Sequence, residues 1–85
     1  MTPAGIVSEA LTIIDACGLS RTELKVATGP HEAIIRRGRR PSGTRVTLTR
    51  RGVTWYVTGG GVHWKGTSRH AAATQIAHII EAGWR

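Results

Sequence analysis

The chain has 85 residues, with ten Arg and two Lys set against one Asp and four Glu, for a formal charge of +7. A chain this short builds one core and therefore one small domain, residues 1–85. Its single Cys excludes an internal disulfide and fits a reducing compartment, while the charge points to polyanions: nucleic acid first, then acidic protein surfaces or anionic lipid.

The longest uninterrupted apolar runs are a few residues, far short of the roughly 20 that cross a bilayer. The opening Met1-Thr2-Pro3-Ala4 is not a signal peptide. A cytoplasmic protein is the expectation, and a composition rich in Ala, Gly and Arg but poor in Lys points to a high-GC bacterium or its phage.

Thr2 can cap a helix whose first residue is Pro3, a position that suits proline because its missing N–H has no partner there anyway. Ile6, Val7, Ala10, Leu11, Ile13, Ile14 and Cys17 then recur at three- and four-residue steps, and Gly18 supplies the stop. This is an amphipathic helix with Ser8, Glu9, Thr12 and Asp15 on its polar face. Cys17 is read as a small buried apolar residue.

The next segment carries two signals. Ser20-Arg21-Thr22-Glu23 has the capping-box pattern, with Leu19 and Leu24 placed as a staple, which favours a short helix from Arg21 to Thr28. Leu24 to Thr28 also alternates like a strand. The helix is preferred, and Pro30 is then read as the start of a further helix that ends at Gly38 and Pro41.

From Thr44 the period changes to two. Val46 and Leu48 alternate with threonines, Arg51-Gly52 can turn, and Val53, Trp55 and Val57 alternate with Thr54, Tyr56 and Thr58. The expected register pairs Leu48 with Trp55 and Val46 with Val57 on one buried face, leaving Arg45, Thr47, Thr49, Thr54, Tyr56 and Thr58 on the other. A Gly60-Gly61 turn then pairs Gly59 with Val62 and Val57 with Trp64, returning both apolar residues to the core. Ser68 caps a last helix with Ala72, Ile76, Ile79, Ile80 and Gly83 on its apolar stripe and His70, Thr74, His78 and Glu81 on its wet side.

The expected fold is therefore α+β: an N-terminal helix, a short helical or extended segment, a three-stranded antiparallel meander and a C-terminal helix packed on the sheet. The four His lack metal-ligand spacing, with His70 and His78 eight apart and His31 and His63 in separate elements. The carboxylates are scattered, and Gly59-Gly60-Gly61 reads as a hairpin turn rather than a phosphate loop. No enzyme, metal or cofactor is expected.

The basic stretch is the stronger signal, because seven of the ten arginines lie between Arg36 and Arg51 and no acid interrupts the chain between Glu32 and Glu81. The guanidinium fork donates two hydrogen bonds to one phosphate, and each phosphate neutralised releases counterions. Candidate nucleic-acid contacts are Arg36, Arg37, Arg39, Arg40, Arg45, Arg50, Arg51, Lys65, Arg69 and His70, with Tyr56 placed to stack or to touch a sugar.

Two stretches resemble known families. Residues 20–41, S-R-T-E-L-K-V-A-T-G-P-H-E-A-I-I-R-R-G-R-R-P, resemble the helix-turn-helix of small bacterial and phage repressors. That resemblance implies a recognition helix carrying His31, Glu32, Arg36 and Arg37 and a hairpin acting as a wing. Residues 44–83, with G-T-S-R-H-A-A opening the last helix, resemble the double-stranded-RNA-binding domain, which implies Ser68, Arg69 and His70 on phosphates across a groove. The same strand-strand-strand-helix layout is similar to integrase arm-binding domains, which lay a sheet in the DNA major groove.

The expectation from residues and resemblance together is a non-enzymatic protein that binds duplex nucleic acid, DNA in preference to RNA, as a small bacterial or phage regulator. The alternative is an inhibitor or modulator that docks on an acidic host protein, with Trp55, Trp64 or Trp84 as anchors. A homodimer is compatible with either role.

Overall fold

The computed structural model describes residues 2–18, 24–37 and 45–84, except for the side chains of 37, 83 and 84. Two helices enclose five strands in the chain: α1 (Pro3–Ala16), β1 (Leu24–Thr28), β2 (Glu32–Arg37), β3 (Arg45–Arg51), β4 (Thr54–Gly59), β5 (Val62–Gly66) and α2 (Arg69–Trp84). The strands form one antiparallel sheet in the order β1-β2-β3-β4-β5. Architecture is α+β, as expected, but the meander has five strands rather than three.

The difference lies in residues 24–37, where the preferred helices are replaced by β1 and β2. A lone β3 edge would leave its backbone groups unpaired and the Val46–Leu48 face without a neighbour on that side. Pairing β2 to β3, with Ala33 opposite Leu48 and Ile35 opposite Val46, removes both costs. Alternation therefore outweighs the local capping signal, whose residues 20–23 lie outside the described segments. Gly29-Pro30 makes the β1–β2 connection, where the Gly29 N–H donates to the Glu32 carbonyl at 2.7 Å and Pro30 needs no ladder bond. The helix pair implied by the repressor resemblance is thus a β-hairpin over 24–37.

Both helices lie on one face of the sheet and against each other: α1 packs on β2 and β3, and α2 on β3, β4 and β5. One cluster joins Ile6, Val7, Ala10 and Ile14 of α1 and Ala72, Ala73, Ile76, Ala77, Ile79 and Ile80 of α2 to Ala33, Ile35, Val46, Leu48, Trp55 and Val57 of the sheet. The four sheet residues predicted to share a face do so. Their partners shift by two, however: Leu48 pairs with Val57, Val46 with Gly59 and Arg50 with Trp55. The turn is Gly52-Val53 rather than Arg51-Gly52, because a positive φ at the first central position (Gly52, 61°) and not at the second suits a glycine followed by a branched residue. A shift of two preserves side-chain parity, so the buried face survives the change.

The β4–β5 register is the expected one, Gly59 with Val62 and Val57 with Trp64. Gly60 and Gly61 both take positive φ, as that tight turn requires. Gly59 has a second role, since a Cβ there would stand 2.4 Å from the Arg45 carbonyl oxygen, and only glycine lets β4 approach β3 so closely. Trp64 reaches the core edge, but Val62 stays 37% exposed because it sits at the start of the edge strand.

The helix ends follow the sequence with two corrections. Gly18 takes φ 78° past the end of α1, and Ser68 caps α2 by accepting from the Ala71 N–H at 3.2 Å. The Thr2 side chain makes no cap bond, leaving Pro3 as the N-terminal signal. Cys17 is exposed rather than buried, because the helix ends at Ala16 and Ile14 is the last buried residue of its stripe. Among the described residues, no helix is long and apolar enough to cross a membrane.

Candidate nucleic-acid interface

The helices cover one side of the sheet, and among the described residues the other is bare. Register fixes what that bare face carries. At one end of the strands Lys25 lies beside Arg36, and Arg36 beside Arg45, so three cations stand side by side across β1, β2 and β3. All three are exposed. Like charges directly opposite one another destabilise a sheet, so folding alone disfavours this arrangement.

A neutral band follows: Ala27, Ile34, Thr47, Thr58 and His63 in one continuous cross-strand row. Beyond it comes the row Glu32, Thr49, Tyr56 and Lys65. Arg51, two residues past Thr49 on β3, sets its guanidinium 5.8 Å from the centre of the Tyr56 ring. That cation–π contact, of the order of 0.5–1 kcal/mol when exposed, holds Arg51 over the face. With Lys65 beside Tyr56, it forms a second cationic group at the opposite end. Glu32 is the one acid on this face among the described residues.

The remaining expected contacts divide. Arg50 has the opposite parity and lies on the helix side of the sheet, 5.7 Å from the centre of the Trp55 ring, with its Nε donating to the Gly52 carbonyl at 2.9 Å. Arg69 and His70 open α2 in the helical layer. His70 Nδ1 lies 2.6 Å from Glu9 Oε1, joining the two helices. Arg37 pairs with Leu24 in the β1–β2 ladder, and Arg39 and Arg40 lie outside the described residues. The bare face thus gathers Arg36, Arg45, Arg51, Tyr56 and Lys65, and Arg50, Arg69 and His70 are not part of it.

Lys25 is the residue that sequence reasoning missed. Assigned to a helix, it had no relation to the arginines, whereas the alternation of Leu24 to Thr28 was the signal that puts it in their row. The helical layer is more nearly neutral: Glu9, Asp15 and Glu81 stand on α1 and α2 beside Arg69. Among the described residues, no group of three or more His, Cys, Asp and Glu side chains is placed to hold a metal ion. Trp55 is buried and Trp64 is packed against the core, so neither is an exposed anchor. Family models, curated proteins and solved structures contain no match to this chain.

Proposed function

We propose that this is a non-enzymatic regulator, of bacterial or phage type and acting in the cytoplasm, that holds duplex nucleic acid against the bare face of its sheet, DNA in preference to RNA. The observation that carries this reading is the exposed row Lys25–Arg36–Arg45. Three cations that repel one another across neighbouring strands gain most from a partner with closely spaced negative charge, and a phosphate backbone is such a partner. With Glu9, Asp15 and Glu81 in the opposite layer, the excess positive charge of the described residues is concentrated on the sheet face, which orients the molecule as it approaches a polyanion.

The preference for DNA follows from shape. A five-stranded sheet meets a nucleic acid as a broad surface, and the major groove of B-DNA is wide whereas that of A-form RNA is deep and narrow. Fluorescence polarisation with labelled DNA and RNA duplexes at low salt tests the reading. Micromolar or tighter binding that weakens steeply with added salt supports it, and no binding to either duplex refutes it.

A further inference from the structure

The bare face carries its cations as two separated groups, and the separation has a geometric meaning. Arg45 and Arg51 are six residues apart on β3, which at the rise of an extended strand is about 20 Å; the Thr49–Tyr56–Lys65 row lies about 14 Å from the first group. Each group runs across the strands rather than along them. Lys25, Arg36 and Arg45 occupy β1 to β3, and Arg51, Tyr56 and Lys65 occupy β3 to β5, each covering about 10 Å at ordinary strand spacing. Between them the face is neutral: Ile34, Thr47 and Thr58.

A single strand laid from one group to the other would place its middle phosphates over Ile34 and the threonines, where no described cation meets them. Two backbones on either side of a groove fit without that mismatch. The major groove of B-DNA is about 12 Å wide and the minor groove about 6 Å. Two cation lines about 14–20 Å apart at the backbone, with long side chains free to lean inward, match the walls of the wider groove. Spanning about 20 Å along β3, the direction that runs from one wall to the other, the sheet is too broad to descend between those walls. The short Thr47 and Thr58 side chains on a face held above the groove stop short of the base edges.

Resting on the nucleic-acid reading above, we infer that the sheet bridges the major groove of B-form DNA, one cation line on each backbone, and binds by phosphate contacts without reading sequence. Affinity then depends on having two backbones. It also depends on both lines.

The test is a salt titration between about 50 and 200 mM with two DNA duplexes of unrelated sequence and with a single strand of one of them. The proteins compared are the full chain, the R36T/R45T variant and the R51T/K65T variant, each checked for folding by its melting curve. The inference expects both duplexes to bind equally, at least about tenfold more tightly than the single strand. It also expects each double variant to reduce the slope of log K against log salt by about 2, since each phosphate contact contributes about 0.9. Single-strand binding as tight as duplex binding, a slope reduced by only one of the two variants, or a more than tenfold preference between the duplexes overturns the bridging arrangement and leaves nucleic-acid binding standing. Failure of the full chain to bind any of the three DNAs, together with no binding to an RNA duplex, overturns the function itself.

Discussion

Arg36 and Arg45 stand directly opposite each other on neighbouring strands, exposed on the face that neither helix covers, with Lys25 extending the row to the sheet edge. Opposed like charges cost a sheet a fraction of a kcal/mol each, and the penalty grows as salt is removed. Replacing either arginine with threonine, a good strand former, should raise stability by about 0.5 kcal/mol in low salt. The same change should weaken duplex DNA binding. Thermal melting and a binding titration on one variant check the pair, and opposite signs in the two measurements are the expected result.

Ile35 carries the load on the other side of the same strand. It pairs with Val46 and is 1% exposed in the shared core. Ile35→Ala should cost about 2–5 kcal/mol through lost burial and the cavity left behind. Urea unfolding measures it, and a loss below 1 kcal/mol would mean that β2 is not packed beneath the helices as described.

Gly59 sets the approach of β4 to β3. A methyl group at that position meets the Arg45 carbonyl at 2.4 Å and the Val46 Cα at 3.1 Å, both backbone atoms that cannot swing aside. Gly59→Ala should therefore open the β3–β4 ladder near Arg45 and destabilise the protein by more than about 1 kcal/mol. Gly61→Ala meets no atom within 4 Å and carries only the strain of its φ of 81°, so it should cost less. Hydrogen exchange at the amides of Val46 and Gly59 distinguishes the two.

Ser68 separates stability from binding. Its hydroxyl accepts from the Ala71 N–H, and Ser68→Ala should cost about 1 kcal/mol as a lost helix cap. Because the residue belongs to the helical layer, DNA affinity should stay within about twofold. A larger loss of affinity would move the binding surface to the start of α2, as the double-stranded-RNA-binding resemblance implies.

What the sequence made legible and what it hid follow from the range of each signal. Pro3 and Gly18 bound α1, Ser68 opens α2, and Gly60-Gly61 sets the β4–β5 register, because each acts on residues within a few positions of itself. The two-residue parity of Val46, Leu48, Trp55 and Val57 likewise identified the buried face even though their cross-strand partners differ. Residues 24–37 were only partly legible: Leu24 to Thr28 alternates, but whether Ala33 and Ile35 extend or coil is decided by β3, which lies beyond the 38–44 connection. The row Lys25–Arg36–Arg45 was hidden for the same reason: it exists only once three strands are paired, although its arginines stood out as a cluster. Arg50 and Arg51 are adjacent in sequence and fall on opposite faces, one over Trp55 and the other over Tyr56. No count of clustered charge separates them.

The most direct test of the central claim compares the two faces of the molecule on one duplex DNA at about 100 mM salt. The R36T/R45T variant removes charge from the bare sheet, and the R69T variant removes it from the helical layer. If the sheet face is the binding surface, the first loses about tenfold or more in affinity, as the loss of two phosphate contacts implies, and the second less than about threefold. The reverse order would contradict the account.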